Sequence, residues 1–180
     1  MKLLCVIDMQ NDFIDGVLGS QEAQAIVPKV VEKIKNTDLV VLTQDTHHID
    51  YLKTEEGKHL PIKHCLYKTK GWEIHKDISN LIFSYLSHDN IFIRTKETFG
   101  YNCYEEFAIK YNNRITEIEI VGLDTDFCVL ANAMTLKAAY PNVPITIDAS
   151  CCAGSSPEWH EKALDILEHC HFNVINREKE

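Results

Sequence analysis

Val121-Gly122-Leu123-Asp124-Thr125-Asp126-Phe127-Cys128 is the stretch on which the fold turns. A β-branched run from Ile118 to Val121 enters a glycine-containing turn. Helical spacing begins near Asp126, with Val129, Ala133, Leu136 and Ala139 on one face and Pro141 as the stop. A thiol at that junction meets the positive end of a helix, where unpaired backbone N–H groups point outward. That field favours thiolate over thiol, as a nucleophilic cysteine requires. A lone cysteine is more often plain core packing, so the weight falls on what the other strand ends carry.

Working outward, apolar strand-like runs occur at Leu3–Ile7, Leu39–Thr43, Ile91–Arg94, Ile118–Val121, Ile145–Ile147 and Phe172–Ile175. Helical faces lie between them: Ala25, Ile26, Val30, Val31 and Ile34; then Ile78, Ile82 and Leu86; then a weakly patterned stretch with Phe107 and Ile109. The last face is Ala163, Ile166, Leu167 and Cys170, opened by Ser156-Pro157-Glu158 with proline at an early helical position. Strands alternating with helices predict an α/β fold, a mostly parallel sheet with helices on both faces. Ligands bind beyond the carboxyl ends of such strands. The polar stretch from Gln44 to Trp72 is too long for a simple connection, and its histidines suggest a functional loop.

Length and composition set the bounds. The 180 residues predict one domain spanning 1–180, long enough for a real core. A net charge of −9 argues against nucleic acid or an anionic membrane as the main partner. No apolar run approaches a membrane span, and the opening Met1–Ile7 run reaches Asp8 too soon for a signal peptide. Seven cysteines without a C-x-x-C pair suit a reducing compartment, so the expectation is a cytoplasmic protein with free thiols. Cys151-Cys152 reads as small packing residues at a strand end rather than a redox pair. Self-association into a homo-oligomer is compatible with a domain of this size.

Two constellations carry the chemistry. The ends of strands one, three and four place Asp8, Lys96 and Cys128 along one sheet edge: a proton acceptor, a cation to hold a thiolate, and a nucleophile. Asp45 and His47, at i and i+2 of a strand end, face the same way and can meet one ion, joined by Glu56 and His64 from the loop. Mixed carboxylate and imidazole ligands suit zinc, iron or manganese. His48, His59 and His75 compete for the same role.

These stretches resemble the isochorismatase-like cysteine hydrolases, most closely their nicotinamidase (pyrazinamidase) branch. The resemblance rests on Val6–Phe13, Thr43–His47, Leu60–Cys65, Lys96–Phe99 and Gly122–Val129 in family order, with Ala149–Gly154 extending it. It implies a six-stranded parallel sheet and an Asp8–Lys96–Cys128 triad. It also implies a cis peptide between Leu123 and Asp124, with the backbone N–H groups of Asp124 and Cys128 forming an oxyanion hole. Asp45, His47 and His64, with Glu56 as fourth ligand, would hold one divalent ion, zinc foremost, that meets a pyridine nitrogen. Two departures stand out. Asp124 replaces a small or apolar residue, and its side chain is expected to face away from the thiol. Leu60 stands where an aromatic wall is usual, which leaves Phe13, Phe99 and Tyr101 as candidates for contact with the substrate ring.

The expected activity is hydrolysis of nicotinamide to nicotinate and ammonia through a thioester, serving NAD salvage. The rivals are a related amidase acting on a carbamoyl or ureido compound, and an inactive metal-binding interaction protein.

Overall fold

In a computed structural model, residues 1–37, 39–85, 90–111 and 114–178 are described. Six strands form one sheet: β1 Lys2–Ile7, β2 Leu39–Asp45, β3 Ile91–Lys96, β4 Glu117–Leu123, β5 Ile145–Ala153 and β6 Asn173–Ile175. Their order is β3-β2-β1-β4-β5-β6, and every pairing is parallel. The chain winds outward from β1 through β2 to β3, then returns to place β4 against the other side of β1. The strand order therefore reverses between β1 and β4, and a crevice opens outside their carboxyl ends. Asp8 follows β1 and Cys128 follows β4, so topology alone brings them to the same crevice.

Among the described residues the helices are α1 Asn11–Ile14, α2 Gln21–Lys35, α3 Glu55–His59, α4 Lys76–Tyr85, α5 Glu105–Lys110, α6 Leu130–Ala139 and α7 Pro157–His169. One face of the sheet (Leu4, Val6, Val40, Leu42, Val121) packs against Ile26, Val27, Val30 and Ile34 of α2 and Ile78 and Ile82 of α4. The other (Leu3, Cys5, Ile7, Ile118, Ile120, Ile145) packs against Phe107 of α5, Ala133 and Leu136 of α6, and Leu164 and Leu167 of α7. Helices thus cover both faces, as the alternating pattern requires.

The differences from expectation are informative. β5 was legible only to Ile147. Its register against β4 then shifts, Ile120 pairing with Ile147 but Gly122 with Cys152, so β5 bulges and resumes to Ala153. In the bulge Asp148 is buried and meets Lys33 Nζ at 2.7 Å; an ion pair interrupts the apolar run that would have marked the strand. Cys151 and Cys152 lie inside this strand, buried and unbridged. Ala25, Ile109 and Ile166 are exposed rather than core, while Ala23, Val27 and Leu164 are buried. The period was right and its phase was off by a residue or two. Leu86 lies outside the described residues.

Candidate active site

β4, the strand that leads to Cys128, ends in a contact only glycine tolerates. Gly122 sits at φ +120°, and a Cβ there would lie 2.1 Å from Ile7 O. β1 and β4 close tightly at that level, and Asp8 follows at φ +47°, an uncommon conformation for a non-glycine residue. Thr43 on β2 fixes it: the Asp8 N–H donates to Thr43 Oγ1 at 3.2 Å, and the hydroxyl donates to Asp8 Oδ1 at 2.7 Å.

Lys96, the last residue of β3, reaches across beneath the crevice. Its Nζ lies 2.6 Å from Asp8 Oδ2, 3.2 Å from Asp45 Oδ1 and 3.5 Å from Cys128 Sγ. Asp8, Asp45, Lys96 and Cys128 are all buried. The three expected triad members therefore meet, and Asp45 joins them. Asp8 Oδ2 and Cys128 Sγ face the same ammonium, which places the carboxylate beside the thiol.

Electrostatics assign the resting protonation. Burial works against the Lys96 ammonium, but Asp8, Cys128 and Asp45 outweigh it and hold its pKa well above the usual lysine range. Burial pushes the Asp8 carboxyl up, with Asp45 adding and Lys96 and Thr43 opposing. The Cys128 thiol is also raised, by burial first, with Asp8 and Asp45 against the pull of Lys96. The helix-end field was expected to leave a thiolate. Burial beside two carboxylates reverses that, and the thiol rests protonated with its acceptor beside it.

Cys128 lies in a wide helical turn, Thr125–Val129, that runs into α6. The N–H groups of Phe127 and Val129 donate to Asp124 O at 3.1 and 3.0 Å. Asn132, four residues on and fully buried, donates to Cys128 O at 2.7 Å and Phe99 O at 3.0 Å, and accepts from Tyr101 N and Tyr104 Oη. Neither Asn132 nor Thr43 was singled out from sequence. The i, i+4 spacing from Cys128 was the available signal for Asn132.

One expectation here fails. All peptide bonds among the described residues are trans, Leu123–Asp124 included; Asp124 has φ −85° and ψ 146°. The Asp124 side chain, expected to face away from the thiol, stands at the head of the turn. Burial raises its carboxyl to about 7, Asp126 and Asp8 push it further up and His64 opposes. It is partly buried and does not cap the turn.

The second cluster forms where the long loop returns. Gln10 ties both ends of that loop, donating to Asp45 O at 2.8 Å and Trp72 O at 2.9 Å and accepting from Asp45 N at 2.7 Å. Asp12 Oδ2 accepts from Cys65 N at 2.7 Å, and His47 and Leu66 pair as a short parallel bridge. The loop contains a 3-10 turn and α3, capped by Thr54 accepting from Gly57 N at 3.0 Å. Gly57 is needed beside Glu56, since a Cβ would lie 2.1 Å from Tyr51 O.

The ligand atoms converge. His47 Nε2 is 2.9 Å from Asp45 Oδ2 and 3.4 Å from Glu56 Oε1; His64 Nε2 is 3.6 and 3.7 Å from the same atoms. His64 Nδ1 lies 2.8 Å from Ile62 O, which leaves Nε2 to face the cluster. His47 Nε2, like His64 Nε2, faces both Asp45 Oδ2 and Glu56 Oε1, so two imidazoles and two carboxylates share one centre. Asp45, His47 and His64 can hold one metal ion, and Glu56 stands at the same point. Burial lowers the His47 pKa, but Asp45 and Glu56 raise it to about 9 overall. The Asp45 carboxyl is held below its usual range: burial opposes, and His47, His64 and Lys96 prevail. The competing histidines go elsewhere: His48 faces Glu97 at 3.5 Å, His59 faces Glu55 at 3.6 Å and His75 faces Asp77 at 3.9 Å.

Of the candidate ring contacts, Phe13 lies 5.4 Å from the His64 ring. Phe99 stacks on Phe127 at 5.3 Å, both partly exposed at the rim. Tyr101 is engaged elsewhere, packing on Tyr104 at 5.0 Å and donating to Glu106 at 2.7 Å. Tyr51, overlooked in the sequence, is buried against the rings of His47 and His64 at 4.5 and 5.0 Å.

The isochorismatase domain family matches residues 2–179. A nicotinamidase of Saccharomyces cerevisiae is 24% identical, covering 98% of this chain and 100% of its own length. The crystal structure of nicotinamidase/pyrazinamidase PncA from Bacillus subtilis superimposes with a TM-score of 0.80 at 27% identity, covering 96% of this chain and 98% of that one. A pyrazinamidase of Pyrococcus horikoshii in complex with zinc shares the fold with a TM-score of 0.79 at 24% identity, over 98% of this chain and 99% of its own. By the extent of the domain match and the sheet that carries it, the chain belongs to the isochorismatase family.

Proposed function

We propose that this chain is a metal-assisted cysteine amidohydrolase that converts nicotinamide to nicotinate and ammonia through a thioester. The observation that carries the reading is the Lys96 ammonium shared by Asp8, Asp45 and Cys128, which joins a nucleophile and its base to the metal-ligand cluster. Relatives described as nicotinamidases support the substrate.

The Cys128 proton passes to Asp8 Oδ2 as the sulfur bonds the carboxamide carbon. The N–H groups of Asp124 and Cys128 receive the oxyanion; such a donor is worth about 3 kcal/mol of transition-state stabilisation. The C–N bond then breaks as Asp8 returns its proton to the leaving nitrogen, and ammonia departs. Water adds to the thioester while Asp8 takes its proton; the carboxylic acid leaves and the thiol is restored. Lys96 stays charged throughout and balances each anionic stage. Phe13 and Phe99 flank the ring. A divalent ion on Asp45, His47, Glu56 and His64, zinc by its donor set with iron or manganese as alternatives, would supply a Lewis-acid site that orients the pyridine nitrogen. We place this reaction in the cytoplasm, in NAD salvage.

A second reading has one observation in its favour. The Asp124 carboxyl, partly buried at the head of the Cys128 turn and not used as its cap, would suit a carbamoyl or ureido substrate that brings extra N–H donors. Ammonia release by zinc-loaded protein from nicotinamide, pyrazinamide and a set of carbamoyl and ureido compounds separates the two. Turnover of the pyridine and pyrazine amides, lost in His47→Ala and His64→Ala together with bound zinc, is the expected result. Turnover confined to the ureido compounds would displace nicotinamide as substrate.

A further inference from the structure

The turn that carries Cys128 is braced from outside the catalytic crevice. Asp126 Oδ1 accepts from Ser155 N at 2.8 Å and Asp126 Oδ2 from Ser155 Oγ at 2.6 Å. Beside this, Thr125 Oγ1 lies 2.7 Å from His160 Nδ1. Both partners come from the corner between β5 and α7, and Gly154 allows the close approach: a Cβ there would lie 2.8 Å from Asp126 Oδ1 and 2.9 Å from the His160 backbone. His160 is in the first turn of α7, its N–H bonded to Ser156 O at 2.9 Å, so the ring is presented by a rigid element. Thr125 is fully buried, which leaves its hydroxyl few partners besides this imidazole. Behind the ring opens a cleft of about 550 Å³ between α2 and α7, lined by Ser150, Gly154, His160 and Glu161, so water reaches the corner without passing Cys128.

We infer that His160 is a positioning residue for the nucleophile: through the Thr125 hydroxyl it fixes the turn that holds Cys128 Sγ at Lys96. The distinction from simple packing lies in charge. A neutral imidazole offers one donor and one acceptor, and a buried hydroxyl can pair with either. With Nδ1 as acceptor, protonating the ring removes that role, so the Thr125 oxygen must instead accept from Nδ1–H and its own hydrogen loses this partner. The charged groups facing His160 are Glu161 on its own helix, Asp126 on the nucleophile turn and Arg177 from the C-terminal segment. Burial and Arg177 disfavour protonation, Glu161 and Asp126 favour it, and the balance leaves the ring below its ordinary value and neutral at pH 7. Where the Thr125 hydroxyl donates to Nδ1, the contact is thus intact at neutral pH and weakened in acid.

The inference rests on Cys128 being the nucleophile of the proposed hydrolysis, and one readout is independent of substrate. In His160→Ala and Thr125→Val, kcat for ammonia release is expected to fall about tenfold to a hundredfold, as small misplacements of reacting groups do, with KM within about twofold. His160→Asn, which restores a neutral polar atom near Nδ1, recovers most of the rate and removes the His160 part of the acid limb. The double variant is no worse than either single one, because the two residues act through one contact. Iodoacetamide labelling of Cys128 without substrate changes in the same order. If the protein turns over no amide, the labelling order still tests the inference. Additive effects, or labelling rates and kcat unchanged while only the melting temperature falls, would overturn it and leave the proposed activity untouched.

Discussion

Lys96 is the residue on which the site is balanced. A single ammonium faces two buried carboxylates and a thiol, at 2.6, 3.2 and 3.5 Å. Removing one partner of a buried ion pair leaves the other charge uncompensated, at a cost of about 3–5 kcal/mol. Lys96→Met is therefore expected to be inactive and destabilised by that order in urea denaturation. Asp8→Asn in the same chain should recover part of the stability and none of the activity; no recovery would mean that the pair contributes little. Asp124 makes the opposite case, a carboxyl whose burial outweighs the pull of His64 on its charge. Its pKa of about 7 in the folded protein lies above the ordinary aspartate value near 4. Between those limits the native state binds more protons than the unfolded one, so stability falls as pH rises through the window. Asp124→Asn removes that slope. Thermal melts in chelator should show it more stable than wild type at pH 8 and equal near pH 4. Equal stability at both would mean that the carboxyl is freely solvated.

Between residues and fold stand the elements, and here the sequence spoke unevenly. β1, β2 and β4 were legible because their apolar runs are continuous and buried on both faces, and β3, a half-buried edge strand, because it keeps the short run Ile91–Ile93. β5 was cut short because its bulge exposes no apolar pattern, only Asp148 and Ser150 turning to Lys33 and to each other. The ring contacts were the least legible. Tyr101 and Phe99 sit two residues apart, yet Asn132 and Glu106 draw the tyrosine toward α5 and α6, and no local pattern encodes that choice. The cis bond came from resemblance rather than from any property of Leu123 and Asp124, and the chain shows trans there. Gly122 has a plainer signature, a glycine interrupting a strand, which marks close backbone approach. With φ +120° and Ile7 O where a Cβ would be, Gly122→Ala should separate β1 from β4 at their carboxyl ends. The expected loss is at least about 1–3 kcal/mol in urea denaturation, together with activity, since Asp8 and Cys128 flank that contact. An alanine variant of wild-type stability and rate would show that the two strands need not close there.

At the scale of the whole molecule the arrangement follows from winding. The order β3-β2-β1-β4-β5-β6 puts the reversal between β1 and β4, and the ends of β1, β2, β3 and β4 bring Asp8, Asp45, Lys96 and Cys128 to one crevice. The loop that completes the metal cluster is held by Gln10 and Asp12 from the segment after β1, so the same corner organises both halves of the site. Sequence spacing could place each residue at a strand end; only the topology shows that the ends are neighbours. Whether they act together as a covalent catalyst is decided by one measurement. Zinc-loaded protein is mixed with nicotinamide, acid-quenched within one turnover and digested, and the Cys128 peptide is weighed by mass spectrometry. A nicotinoyl thioester on that peptide, absent in Cys128→Ala and diminished in Asp8→Asn, is the predicted result. Full turnover with an unmodified Cys128 peptide at every quench time, or turnover retained in Cys128→Ala, would contradict it.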